Sequence, residues 1–123
     1  MHKIEFADPR ATEIPPGEIV NTFRVGRKWF DALRVGDMVE LAITGAAKPF
    51  ARAVVLGADF GEYGQVEQFA VDNYRWRNCA VFTARRELLR ELGQAYPDWA
   101  PQGDRDENGV AVITFMRTSD PVA

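Results

Sequence analysis

Two adjacent strand-like segments near the middle of the chain constrain the fold most. Residues 38–44 alternate, and Val39, Leu41 and Ile43 fall together on one side, as in a strand with one buried face. A short turn over residues 44–49 leads to a second apolar segment, residues 51–57. Two such segments joined by a short turn pair as a hairpin. We therefore expect a curved, mainly antiparallel sheet, and the pattern disfavours a parallel, doubly wound one.

Three further strands are predicted outside this hairpin. Residues 3–6 alternate in polarity, and residues 18–24 are rich in β-branched side chains, both of which favour extended structure. Residues 110–116 are apolar on nearly every position, which is typical of a central strand buried on both faces. The turn signal Asn108-Gly109 stands just before this last strand.

Helical patterns are fewer. The clearest helix is predicted over residues 78–92, with Gly93 as its C-cap; its apolar side would contain Val81, Leu88 and Leu92. A shorter helix is predicted over residues 26–33, with one face formed by Val25, Trp29 and Leu33. Residues 65–71 are predicted to form one or two helical turns, and residues 99–108 a polar loop.

Together these elements predict an α+β protein: a small mixed, mainly antiparallel β-barrel with two or three flanking helices. The length of 123 residues is near the commonest domain size, so residues 1–123 are predicted to form a single domain. Residues 118–123 are expected to fray.

Composition excludes several functions. The net charge of −3 argues against a general nucleic-acid coat, although a local basic groove stays compatible with it. A single cysteine, Cys79, rules out an internal disulfide and a multi-cysteine zinc site. His2 is the only histidine and lies near the terminus, which disfavours catalytic groups that need one. Without a long apolar run or a signal-peptide core, we expect a cytoplasmic protein with no membrane partner. We also expect no metal and no cofactor.

The strip NTFRVGRKWFDALRVGDMVEL, residues 21–41, concentrates polar and basic groups beside a turn. Arg24 is its strongest candidate, because a guanidinium can hold a phosphate or a base edge bidentately. The alternative for Arg24 is a buried ion pair with Asp37 or another carboxylate. The alternative for Thr22 is an ordinary strand residue, which is the more common role of a threonine in such a segment. Trp29, next to Arg27 and Lys28, is predicted to pack in the core.

A second candidate is the run NYRWRN, residues 73–78. Alternating aromatic and basic residues suit single-stranded nucleic acid, since charges follow the backbone while rings stack on bases. The alternative is a loop that Tyr74 and Trp76 anchor in the core.

The motifs Thr22-Phe-Arg24, Gly36-Asp37 and Val39-Glu-Leu-Ala-Ile43 resemble the signature of the ASCH family (activating signal cointegrator homology), a branch of the PUA-like β-barrels. The resemblance implies a PUA-like barrel with a cleft beside the Thr-x-Arg strand. It also implies a role with RNA or with modified nucleosides.

The chain is similar in pattern to some small bacterial ASCH proteins that remove an acyl group from acetylated cytidine. Those proteins use a triad of a lysine, a threonine and a carboxylate. The resemblance places the threonine on Thr22 and the carboxylate near Asp72, but the lysine position holds Ile19. An enzyme would then need Lys28 as its base, with Asp72 or Glu67 orienting it. A hydroxyl nucleophile needs such a base, so we expect binding without fast turnover.

The leading hypothesis is an RNA- or nucleotide-binding domain with a basic cleft, in which Arg24, Lys28 and Arg75 lie together. Its predicted binding residues are Asn21, Thr22, Arg24, Arg27, Lys28, Asn73, Tyr74, Arg75 and Trp76. A nucleoside amidohydrolase or ribonuclease on the same fold, with Thr22, Lys28 and Asp72 as catalytic residues, is the first alternative. A protein-interaction module, whose basic strip is only structural, is the second.

Overall fold

The computed structural model describes residues 1–119. Its strands are β1 (His2–Phe6), β2 (Ile19–Val25), β3 (Met38–Ile43), β4 (Ala51–Gly61) and β5 (Val110–Arg117). Its helices are α1 (Lys28–Ala32), α2 (Tyr63–Val66), α3 (Val81–Ala95) and α4 (Arg105–Asn108), with 3₁₀ turns at Pro9–Glu13 and Glu67–Asp72. The predicted fraying concerns mainly residues 120–123, which lie outside the described part of the chain.

The strands form one mixed sheet in the order β1-β3-β4-β5-β2. Strands β3 and β4 pair antiparallel, as Met38 opposite Val54 illustrates, so the predicted hairpin is confirmed. Strand β1 pairs parallel with β3, and the remaining pairs are antiparallel. The α+β class with a mixed, mainly antiparallel sheet is therefore confirmed. The sheet curls into a half-barrel rather than a closed barrel, because β1 and β2 form its two edges.

Strand β5 is buried on both faces and divides the core in two. Ile113 and Phe115 pack with Ile4 inside the curl of the sheet. Val110 and Val112 lie in a second cluster, which packs under α3. The alternation of a strand sends successive side chains to opposite faces, so the prediction of a central strand at this position is confirmed.

The long helix is displaced toward the C-terminus relative to its prediction. It begins at Val81, which is exposed, and its buried residues are Ala84, Leu88 and Leu92. The predicted C-cap at Gly93 is wrong, since the helix continues to Ala95 and its C-cap is Tyr96. Pro97 follows, and a proline disfavours helical backbone in the residue before it.

The predicted helix over residues 26–33 is wrong in its extent and in its apolar face. Only Lys28–Ala32 is helical. Val25 packs in the cluster under α3, whereas Trp29 and Leu33 belong to the cluster inside the curl. Val25, Trp29 and Leu33 therefore do not form one helical face. Val25 ends β2, and Trp29 lies in a separate helical turn.

Two segments are more regular than predicted, the one that follows the predicted strand at residues 51–57 and the predicted polar loop at residues 99–108. Strand β4 runs to Gly61 because it goes on pairing with β5 beyond a bulge at Val55 and Gly57. The segment before β5 contains α4, which ends at Gly109. A Cβ atom on Gly109 would lie 2.5 Å from the carbonyl oxygen of Arg105, so this turn requires glycine. Among the described helices, none has the length and apolarity needed to cross a membrane.

Candidate functional site

The gap between the two edge strands holds a cleft of about 570 Å³, which we call the seam cleft. Its walls are the end of β1, residues 21–24 of β2, residues 73–75 and the C-terminal half of α3. The volume falls in the range of small-molecule sites. The seam cleft is thus a product of the incomplete closure of the barrel.

Arg24 crosses this seam from one edge strand to the other. Its Nη2 atom donates a hydrogen bond to the backbone oxygen of Glu5 at 2.6 Å, and its guanidinium lies 5.7 Å from the ring centre of Phe6. Burial lowers the pKa of Arg24 from its ordinary value. Its buried Nε atom has no hydrogen-bond partner in the described residues. Arg24 is therefore a half-buried cation whose donors are only partly used.

The alternative role predicted for Arg24, an ion pair with Asp37, does not form. The Asp37 carboxylate accepts a hydrogen bond from the backbone N–H of Arg34 at 2.8 Å instead. Residues 34–37 form a turn, and this local bond closes it, as short acidic side chains commonly do. No carboxylate of the described residues lies within 4 Å of the Arg24 guanidinium.

Thr22 lies beside Arg24 in the wall of the seam cleft. Residues two apart in a strand point to the same face, which is why the Thr-x-Arg spacing brings both side chains to the cleft. Thr22 is only 7% exposed. Within residues 1–119 its hydroxyl group makes no hydrogen bond, so it stays available to a ligand.

Asn21 and Asn73 form a buried amide network at the free edge of β2. The Nδ2 atom of Asn73 donates to the backbone oxygen of Asn21 at 3.1 Å, and Nδ2 of Asn21 donates to the Phe69 oxygen at 2.8 Å. The Oδ1 atom of Asn73 accepts from both N and Nε of Arg75, each at 3.1 Å. Because these amides already have partners, they anchor the segment that carries Arg75.

Arg75 is held from several sides at once. Its Nη1 atom lies 2.5 Å from the Glu91 carboxylate on α3, and its guanidinium lies 4.5 Å from the ring centre of Trp76. Trp76 is 7% exposed and packs in the core under α3, which fits the predicted anchor role better than base stacking. Tyr74 is half-buried and lines the cleft, and burial raises the pKa of its phenol.

The seam cleft is not basic, contrary to the prediction. Two arginines, Arg24 and Arg75, face three carboxylates in its lining, those of Glu5, Asp8 and Glu91. Of these five charges, Arg75 and Glu91 neutralise each other by direct contact. The cleft therefore presents one unpaired cation in a mixed surrounding rather than a positive groove.

Lys28 and Arg27 do not belong to this lining. Gly26, with φ of +95°, turns the chain away at the end of β2. Lys28 then begins α1, where its Nζ atom lies 5.6 Å from the ring centre of Trp29. Arg27 lies 5.0 Å from the Phe60 ring centre and pairs with Asp31 at 3.2 Å. The prediction that Arg24, Lys28 and Arg75 share one cleft is thus wrong for Lys28.

The carboxylates considered for catalysis also lie elsewhere. Asp72 is exposed at the end of a 3₁₀ turn and does not line the seam cleft. Glu67 lies 4.0 Å from Arg85, outside the lining as well. The structure therefore does not bring Lys28, Asp72 or Glu67 to the Thr22 hydroxyl.

Several cleft residues were not predicted, notably Glu5 and Phe6 of β1 and Glu91 and Tyr96 at the end of α3. Their local patterns are those of an edge strand and of a polar helical face, so nothing in the sequence pointed to a site. In the described part of the chain, no cluster of three or more histidine, cysteine or acidic side chains is arranged to hold a metal ion.

No protein-family model matches the chain, and no curated protein matches it either. A solved structure, the crystal structure of hypothetical protein PH0355, is similar with a TM-score of 0.57 at 15% sequence identity. The similarity covers 95% of this chain and 99% of that one. At this identity it shows a shared fold and nothing about the ligand.

Proposed function

We propose that the protein binds a nucleotide, free or as one unit of RNA, in the seam cleft, and that it is a PUA-like barrel of the ASCH family. The observation that carries the proposal is the guanidinium of Arg24. It is half-buried at the cleft, has no carboxylate partner within the described residues, and leaves its buried Nε atom without an acceptor. A cation that is withdrawn from water without a partner costs free energy, and an anion that pairs with it offsets part of that cost.

The other cleft groups suit the remaining parts of a nucleotide. The Thr22 hydroxyl group, free to donate and accept, lies next to the proposed phosphate position. The rings of Tyr74 and Tyr96 line the same cleft and offer flat surfaces on which a base can stack. The Glu5 carboxylate lies 3.8 Å from the Lys3 ammonium group and is 45% exposed, so it keeps lone pairs that can accept base N–H donors.

The mixed charge of the cleft also bears on the size of the ligand. A long polyanion bound through charge alone needs several unpaired cations. Here Arg75 is paired with Glu91, and three carboxylates line the cleft. The arrangement favours recognition of one nucleotide unit.

The cytoplasmic location stays a prediction.

Titration with uridine monophosphate and with uridine tests the proposal by calorimetry. We expect the phosphate to raise the affinity about tenfold or more, since hydrogen bonds between charged groups contribute about 1.5–3 kcal/mol. Lys28→Met should bind the monophosphate like the wild type, because Lys28 lies outside the seam cleft. Equal affinity for the two ligands would argue against a phosphate site, and no binding at all would favour the interaction module.

The enzymatic alternative can be tested separately. A base must lie within hydrogen-bond reach of Thr22 for its hydroxyl to attack an acyl group, and the lysine proposed for that role lies on α1. We therefore expect neither deacylation of N4-acetylcytidine nor cleavage of short RNA above the rate in buffer, as followed by chromatography. Turnover that Thr22→Val abolishes would contradict this expectation and identify an enzyme.

A further inference from the structure

A second cavity, of about 330 Å³, adjoins the seam cleft, and we call it the side cavity. Tyr74 and Arg75 line both cavities, so these two side chains form the wall between them. A ligand seated against Arg24 in the seam cleft would therefore have Arg75 and the side cavity as its next neighbours.

The side cavity contains more arginines than the seam cleft. Three arginines line it, Arg10, Arg75 and Arg77, against two carboxylates, Glu13 and Glu18. The seam cleft has two arginines against three carboxylates. Each arginine of the side cavity has a carboxylate partner, Asp8 for Arg10, Glu91 for Arg75 and Glu18 for Arg77. The case for an anion in the side cavity therefore rests on their remaining N–H donors and not on net charge.

Each of the three guanidinium groups has partners in the protein but keeps at least one free donor, and the side chain of Arg10 is 64% exposed. Arg10 grips the Asp8 carboxylate through Nε and through Nη2, the latter at 2.7 Å, which leaves Nη1 without a partner in the described residues. Arg75 uses Nε and Nη1 and keeps Nη2. Arg77 contacts the Ile19 oxygen and Glu18 through its two Nη atoms and keeps Nε.

Such an arrangement is organised in advance for an anion. An arginine has five N–H donors in a fixed plane, and bonds to neighbouring groups hold that plane still while the remaining donors point elsewhere. A ligand then loses little free energy in ordering the side chains. Arginine also matches the geometry of phosphate oxygens.

We propose that the side cavity binds a second phosphate group of the ligand whose first phosphate lies at Arg24. This inference rests on the proposed function. Two sources supply that chemistry: the next phosphate along an RNA strand, and the terminal phosphate of a nucleoside diphosphate. A substitution of Arg10 tests the side cavity on its own, because Arg10 lines the side cavity and not the seam cleft.

Calorimetric titration with three probes tests the inference: uridine monophosphate, uridine diphosphate and 5′-phosphorylated diuridylate. We expect one of the two-phosphate probes to bind the wild type about tenfold more tightly than the monophosphate. Arg10→Gln should remove that advantage and change the affinity for the monophosphate less than about twofold. The probe that gains identifies the source of the second phosphate.

Two further variants control for side effects. Arg10→Gln leaves Asp8 without its partner, so the double variant Asp8→Asn, Arg10→Gln, which keeps the net charge, should show the same loss. Arg86→Gln removes an exposed arginine that lines neither cavity and should keep the advantage. Normal binding of the monophosphate without any gain from a second phosphate would overturn this inference alone, as would a gain that survives Arg10→Gln. Failure of all three probes to bind would overturn the proposed function with it.

Discussion

Replacing Arg24 with methionine is expected to weaken the binding of uridine monophosphate by about 10- to 100-fold. The variant loses the cation that faces the seam cleft and its contact with the Phe6 ring, while methionine keeps an unbranched apolar chain in place of the arginine stem. Calorimetric titration measures the loss. An unchanged affinity would contradict the role of Arg24 as the phosphate ligand.

The same variant tests whether a loss of affinity comes from a loss of fold stability. Arg24→Met removes the hydrogen bond to the Glu5 oxygen, but it also removes a half-buried cation with an unsatisfied Nε atom. The two changes oppose each other, because replacing a buried charge by an apolar side chain is often neutral or stabilising. We expect the free energy of unfolding in urea to stay within about 1 kcal/mol of the wild type. Arg86→Met, at an exposed position outside the cleft, is the matched control and should change neither quantity.

Replacing Asn73 with alanine is expected to lower the free energy of unfolding by about 2–4 kcal/mol. Asn73 is 1% exposed. Its amide satisfies the backbone oxygen of Asn21 and the N–H and Nε of Arg75. Alanine has no group that can replace these bonds, so polar atoms of β2 and of the neighbouring segment would be buried without partners.

Urea unfolding followed by tryptophan fluorescence measures this effect. Asn78→Ala is a suitable control, because Asn78 is exposed and close in sequence. It should change the free energy of unfolding by less than about 0.5 kcal/mol. Equal effects of the two substitutions would mean that the buried amide network does not stabilise the fold.

Local pattern was sufficient to predict most of the sheet. The alternation in β3, the short turn and the apolar β4 predicted the hairpin, and the two-faced apolarity of β5 predicted its central place. Helix ends were harder. The glycine at position 93 looks like a cap, but whether a helix stops there depends on its neighbours, and α3 continues until Pro97 prevents it.

The candidate site likewise combines features that the sequence pattern predicted with features that depend on the folded chain. Sequence spacing by itself determined that Thr22 and Arg24 share one face of a strand, because period two is a property of the extended backbone. The aromatic and basic composition of residues 73–78 also singled out Asn73, Tyr74 and Arg75, all of which line the cleft.

Only the tertiary structure decided what surrounds that face. Pairing of β1 with β3 and of β2 with β5 leaves the two edge strands facing each other across the seam, and α3 packs beside it. That arrangement brings Glu5 and Glu91 to Arg24 and Arg75, while the turn at Gly26 carries Lys28 away. Strand order arises from contacts between distant segments, which no local period encodes, so the charge and depth of the cleft become visible only in the folded chain.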